Sequence, residues 1–153
     1  MTRFIFSIAV LTMISSVFSS CSKVVGSGPR VSEYRSISGF SSICLAMDAT
    51  VNIQQDSIYQ VEIVAQENIM NQLLTELSGS KLTIRHRNNT IIKSSPITVN
   101  ISMPSLSGLN VSGSGVIRLQ NQLQTLGFDL NVSGSGEIEI PAIDASNISS
   151  TIS

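Results

Sequence analysis

Leu109-Asn110-Val111-Ser112-Gly113-Ser114-Gly115 returns, residue for residue, as Leu130-Asn131-Val132-Ser133-Gly134-Ser135-Gly136. The two copies stand 21 residues apart, and each leads into an apolar-alternating tail, Val-Ile-Arg-Leu at 116–119 and Glu-Ile-Glu-Ile at 137–140. A short fixed period rich in β-branched residues is the signature of a repeat architecture in which strands stack on their neighbours. Within each copy Leu and Val fall on one face of an extended chain, Asn and Ser on the other. Glycine at alternate positions lets the backbone turn tightly and approach the neighbouring coil without a Cβ clash. Ser112, Gly113, Ser114 and Gly115, with Ser133, Gly134, Ser135 and Gly136, are therefore expected as repeat turns. The fold expected from this stretch is all-β, a β-solenoid (β-helix-like) of stacked short strands.

Working backwards, Ile97 to Met103 alternates apolar with Thr, Asn and Ser between Pro96 and Pro104. Proline cannot donate to a ladder, so a strand with prolines at its borders is expected there. Ile43 to Ile53 alternates in the same way, with a break near Asp48, and Tyr59 to Ala65 resumes the pattern after a polar turn at Gln54 to Ser57. Leu82 and Ile84 begin another strand, which Asn88-Asn89 ends. The period changes only at Glu67 to Leu77. There Ile69, Leu73 and Leu77 recur every fourth residue and Met70 with Leu74 widens the stripe, which predicts one short amphipathic helix near 67–77.

Working forwards, Ile148 to Ser153 reads Ile-Ser-Ser-Thr-Ile-Ser, and Ser153 falls where the first serine of a third Ser-Gly-Ser-Gly would stand. A solenoid needs a cap over its last apolar layer. The repeat pattern shows none, so the C-terminal repeats are expected to be truncated, with a final strand that simply ends as the alternative.

The N-terminus reads differently. Arg3 precedes an apolar stretch from Phe4 to Val17, and Ser19-Ser20-Cys21 closes it. That layout predicts a secretory signal peptide over 1–20. The small-small-Cys ending resembles the lipobox of a bacterial lipoprotein, although Phe18 stands where Leu is usual. The resemblance implies that Cys21 is lipidated and anchors the mature chain to a membrane. An ordinary cleaved signal with an incidental cysteine is the alternative. Residues 21–30, rich in Gly and Ser, are expected as a flexible tether, and 31–153 as the folded domain.

The balance of charge narrows the partners. A net charge of −1 with only 12% charged residues gives no basic surface for nucleic acid. Lys81, Arg85, Arg87 and Lys93 surround His86, the only histidine. Thr83, Arg85 and Arg87 share one strand face, a ridge suited to an acidic glycan or headgroups, or simply a solvated edge. Cys44 is the one thiol left once Cys21 is modified, and is expected as a small buried filler, with a reactive thiol as the alternative. Glu137 and Glu139 project together from one strand. Facing carboxylates can hydrolyse glycosides, whereas carboxylates side by side more often form a solvated face. Asp56-Ser57-Ile58 resembles a short O-glycosylation sequon of Bacteroidetes envelope proteins, with Ser57 as acceptor. Asn110 and Asn131 are expected to form a stacked polar ladder. No metal ligand set and no cofactor motif is read.

Several of these stretches, taken in order, resemble one family. Arg-Ser-Ile-Ser-Gly-Phe-Ser-Ser-Ile at 35–43, Val-Asn-Ile-Gln-Gln at 51–55, Ala-Gln-Glu-Asn-Ile at 65–69, Pro-Ile-Thr-Val-Asn-Ile-Ser-Met-Pro at 96–104 and the Ser-Gly-Ser-Gly repeats are similar to the putative auto-transporter adhesin, head GIN domain family. Members commonly read Gly-Ser-Gly-Asp-Ile, whereas Val116 and Glu137 follow the glycine here. The resemblance implies a β-helix-like, all-β envelope protein, frequently a Bacteroidetes lipoprotein, with no established biochemical activity; no catalytic residue is read, and the lipid anchor is expected at the outer membrane. The expected function is an adhesin or a binding and scaffold module. It would meet glycans or envelope proteins through a Ser/Thr/Asn-rich sheet face, on the outer surface or in the periplasm. The alternatives are a polysaccharide-active enzyme using Glu137 and Glu139, and a non-functional fragment of a longer protein.

Overall fold

The computed structural model describes residues 22–153 apart from 89 and 94, so Cys21 and the expected signal peptide lie outside the described residues. Among the described residues there are fourteen strands and one helical turn. They run β1 Ser22–Val25, β2 Arg30–Arg35, β3 Ser42–Leu45, β4 Thr50–Gln55, β5 Gln60–Gln66, α1 Glu67–Met70, β6 Leu73–Ser78 and β7 Lys81–His86. The series continues with β8 Thr90–Lys93, β9 Thr98–Met103, β10 Gly108–Gly113, β11 Val116–Leu119, β12 Leu123–Gly134, β13 Glu137–Glu139 and β14 Ile143–Ile152. The protein is all-β.

Two six-stranded sheets carry the architecture, in the orders β14-β12-β10-β3-β7-β6 and β13-β11-β4-β9-β5-β2. Neither closes into a barrel. The chain alternates between them, β3 then β4, β10 then β11, β12 then β13, so that like strands pair in parallel. Leu109 lies beside Leu130, Asn110 beside Asn131 and Val111 beside Val132. In the second sheet Ile117 lies between Val51 and Ile138. Ser153 donates to the Val132 carbonyl and accepts from Gly134, so it stands beside Ser133, at the position its place in the period predicts.

The inner faces supply one apolar cluster, with Phe40, Leu45, Val51, Ile53, Ile63 and Ile117 fully enclosed. Its covering thins along the stack. Leu109 and Val111 are buried, while their repeat equivalents Leu130 and Val132 are partly exposed, and Ile148 and Ile152 of β14 are exposed.

The turns between the sheets use their two glycines differently. Gly113 and Gly134 have φ of +138° and +97°, a region that side-chain-bearing residues avoid. Gly115 and Gly136 need no such angle, but a Cβ there would run into the neighbouring strand and turn, Leu45 and the Met47 carbonyl in one case and Val111 in the other.

Residues 67–77 are not a helix. α1 is a single turn, and Leu73 onward is strand β6, antiparallel to β7 across a turn at Gly79, whose φ is +59°. A spacing of four also satisfies the period of two, so Leu73 and Leu77 share a strand face as readily as a helix face. The hairpin prevails because an isolated helix this short is marginal, whereas β6 gains six paired positions along β7. Part of the stretch expected as tether is also ordered. β1 pairs in parallel with β8, and Ser27 and Val25 are hydrogen-bonded to the Asn68 side chain.

Candidate functional site

The most organised polar surface is the outer face of the second sheet. Thr-Val-Asn-Ile occurs at 50–53 and again at 98–101, and the two copies lie in register on the neighbouring strands β4 and β9. This places Asn52 beside Asn100, and the Asn52 amide donates to the Asn100 carbonyl oxygen at 3.0 Å. The Asn100 amide in turn donates to Glu62 on β5 at 2.8 Å, and Ser32 on β2 donates to the other Glu62 oxygen. On the far side Arg118 of β11 lies next to Asn52 and donates to both oxygens of Glu139 on β13, at 2.9 and 3.0 Å. With Tyr34, opposite Glu62 and 62% exposed, each strand of the sheet contributes one residue to a single row. At the usual spacing between strands the six positions span about 24 Å.

Charge along this row is fixed by the hydrogen bonds. Those from Ser32 first, then from Asn100, hold the Glu62 carboxyl below its ordinary value. The bonds to Glu139 push the Arg118 guanidinium up. Next to the row is a shallow depression of about 340 Å³ lined by Gln54, Gln60, Ser102 and Gln120 as well as the two asparagines. Amides and hydroxyls dominate it, which suits ligands rich in hydroxyl groups. The identity of the two Thr-Val-Asn-Ile copies is the signal in the sequence for this pairing, one that strand alternation alone does not carry.

The residues singled out from sequence are distributed as follows. Asn110 and Asn131 are adjacent on the outer face of the first sheet, between Cys44 and Thr151. Cys44 is not a core filler. It shares that outer face, half-buried, with its sulfur 3.8 Å from the Asn110 side-chain oxygen, and burial pushes its thiol pKa up. The parity of β3 decides this, since Ile43 and Leu45 take the inward positions.

The basic ridge is divided among partners. Arg85 pairs with Glu76 at 2.7 Å, and Arg87 donates to the Asn71 carbonyl. Glu137 and Glu139 share the outer face of β13, with Glu139 engaged by Arg118 rather than facing a second carboxylate. Ser57 is exposed in the turn after β4, its amide bonded to the Asp56 carboxylate at 2.6 Å. A further depression of about 610 Å³ adjoins β8 and includes Met47, Asp48, His86 and Ile97. Among the described residues no three metal-ligating side chains come together.

A family model, described as putative auto-transporter adhesin, head GIN domain, matches residues 39–153. The chain belongs to this family. That span takes in both Thr-Val-Asn-Ile copies and both Ser-Gly-Ser-Gly turns, so the head GIN domain contains most of the polar row. A solved structure of a putative adhesin from Bacteroides fragilis superposes with a TM-score of 0.79 at 16% identity, covering 84% of this chain and 61% of the other. A putative adhesin from Parabacteroides merdae gives 0.78 at 16% identity over 86% and 55% of the two chains. A putative lipid binding protein from Parabacteroides distasonis gives 0.77 at 19% identity over 85% and 65%. At these identities the likeness is one of fold. The head GIN domain chain spans roughly three fifths of the length of these structures. No curated protein sequence matches it.

Proposed function

We propose that this head GIN domain is a non-catalytic binding module of the bacterial cell envelope. It acts through the outer face of the second sheet and is held at the outer membrane by a lipid on Cys21. The observation that carries the reading is the row from Tyr34 to Glu139, in which two asparagines, two carboxylates and a guanidinium are already oriented by one another. Side chains fixed before binding lose little conformational freedom on binding. A row repeated at strand spacing suits several weak contacts along an extended ligand. We take the ligand to be a glycan, because stacked amides and hydroxyls offer many donors and acceptors beside one carboxylate, Glu62, that lacks a cationic partner in the row. The alternation of the chain between two sheets supports a solenoid of stacked coils as the scaffold. A hydrolase at Glu137 and Glu139 is disfavoured by the engagement of Glu139 with Arg118.

The test is a binding screen of the purified chain against neutral and acidic envelope and host glycans, repeated with Asn52→Leu/Asn100→Leu. Binding to a neutral glycan that falls at least tenfold in the double variant is expected. No binding across the set, or binding indifferent to the substitutions, would refute the reading. Protease shaving of intact cells, with a Cys21→Ala control, separates a surface-facing from a periplasmic domain.

A further inference from the structure

We infer that the outer face of the ribbon formed by β1 and β8 is a membrane-contacting surface that meets anionic lipid headgroups beside the anchor. The inference rests on the reading of Cys21 as lipidated. The ribbon is parallel and in register, pairing Ser22 with Thr90, Lys23 with Ile91, Val24 with Ile92 and Val25 with Lys93. Its two faces differ in kind. Thr90 is buried, and Val24 and Ile92 pack against the core. The opposite face presents Lys23, Ile91, Val25 and Lys93 to solvent, with Val25 53% and Ile91 46% exposed.

That face is a diagonal arrangement of two β-branched apolar side chains and two lysines. The whole chain has three lysines, so two of them stand here. Among the described residues neither is in an ion pair, whereas Arg35, Arg85 and Arg118 each have a carboxylate partner. Apolar side chains flanked by long cationic ones suit an interface, because lysine can lay its stem on the apolar layer while its ammonium reaches phosphate. An acidic group, Asp48, lines the adjoining depression, to whose rim Ile91 also contributes.

The position of the ribbon relative to the anchor is set by the chain. Cys21 immediately precedes β1, so the anchor lies within about 20 Å of every residue on this face, at the ordinary rise of an extended chain. The segment after β1 cannot act as a long leash. Gly26 donates to the Lys93 carbonyl at 3.1 Å, Ser27 to the Asn68 side chain at 2.9 Å, and the Asn68 amide to the Val25 carbonyl at 2.8 Å. A lipid on Cys21 therefore brings the ribbon itself to the bilayer surface, within the range of its potential. Each lysine there favours an anionic surface by about fivefold, and the pair by about 25-fold. A lipid chain with a basic patch is the two-signal combination that gives stable membrane attachment.

The experiment uses the full chain, processed by a bacterial host and reconstituted in phosphatidylcholine vesicles with or without a quarter of phosphatidylglycerol. The chain has no tryptophan, so Ile91→Trp gives a single reporter, Val25→Trp a second should the first misfold, and Leu126→Trp, at an 84% exposed site, the control. Contact with the bilayer should blue-shift the reporter in the ribbon, and brominated acyl chains should quench it, with neither effect on the control. Quenching should be stronger with phosphatidylglycerol and should drop several-fold in high salt or in Lys23→Gln/Lys93→Gln. Intact mass is read first. A chain without acyl mass on Cys21 overturns both the anchor and this inference. An acylated chain whose ribbon reporter is unquenched, or quenched no more than the control, overturns this inference alone. A blue shift without vesicles that grows with protein concentration would mean that a second copy covers the ribbon, and would overturn it too.

Discussion

Replacing Gly115 by alanine adds one carbon, and the structure says where it must go. A Cβ at Gly115 would lie 2.5 Å from Leu45 Cδ2, 2.6 Å from the Met47 carbonyl oxygen and 3.0 Å from the Ala49 carbonyl oxygen. Leu45 is fully buried and has little room to rotate away. The two carbonyls belong to the turn between β3 and β4, and that of Ala49 already accepts the Val116 amide at 2.8 Å. Relieving the clash must therefore move a backbone turn or stretch a ladder bond. Overpacking costs about 1–3 kcal/mol and a weakened buried hydrogen bond about 1 kcal/mol, so the expected loss is about 2–4 kcal/mol. For a domain of this size that lowers Tm by about 6–16 °C. Gly127 is the internal control, since nothing lies within 4 Å of a Cβ there and its φ is not in the left-handed region. Gly127→Ala should stabilise by about 0.4–1 kcal/mol by restricting the unfolded chain. Urea denaturation followed by circular dichroism measures both, with the m-value checking that the unfolded state is unchanged. Agreement of the two variants within about 0.5 kcal/mol would refute the close-approach argument.

Three further outcomes follow from the same geometry. Leu109→Ala should cost about 2–5 kcal/mol, as for a fully packed leucine, and Leu130→Ala less than half as much because its site is partly exposed; equal losses in urea would contradict the thinning of the core along the stack. Glu62 is held below its ordinary pKa by hydrogen bonds from Ser32 and Asn100, so its contribution is complete above the unfolded value near pH 4.3 and is lost as pH falls through the lower folded value. Stability measured from about pH 5 to pH 3 should thus fall less steeply for Glu62→Gln than for the parent, and identical slopes would count against the row. Burial pushes the Cys44 thiol up, against a smaller opposing effect of Lys81, so iodoacetamide should alkylate it several-fold more slowly in the native chain than in urea; equal rates would place the sulfur in open solvent.

Much of the architecture was legible because parallel pairing in register turns sequence identity into spatial adjacency. The repeated heptapeptide lies in register, and Ser153 stands beside Ser133 as its place in the period predicts. The helix near 67–77 failed for a definable reason. A four-residue apolar spacing is common to both periods, and the arbiter was tertiary, the pairing of β6 with β7 around Gly79. Cys44 departs from its expected place because alternation sets Ile43 and Leu45 inward but does not say whether the other face of β3 is covered, and that face is only half-buried. The order of β1 was hidden in a Gly/Ser-rich stretch whose partner, β8, lies 68 residues away in register.

The placement of the candidate site follows from comparing the two outer faces. On the first sheet Asn110 and Asn131 are aligned, but among the described residues the hydrogen bond along that row is the long one from the Cys44 sulfur. On the second sheet equal side chains in equal register are joined by bonds of 3.0 Å from Asn52 to Asn100 and 2.8 Å from Asn100 to Glu62. Stacking alone produces rows on both faces, so rows by themselves do not mark a binding surface. What distinguishes the second sheet is that a strong acceptor, Glu62, ends the amide series and orients every donor towards it, while Arg118 with Glu139 closes the other end. An array oriented in this way has its remaining oxygens and amide hydrogens aimed in fixed directions, which is the preorganisation that recognition of a hydroxyl-rich ligand requires. Substitutions along Asn110 and Asn131 should therefore leave glycan binding unchanged, while Glu62→Gln, which weakens the terminal acceptor, should reduce it without removing any contact atom. A loss of binding confined to the Asn110 and Asn131 variants would move the site to the first sheet.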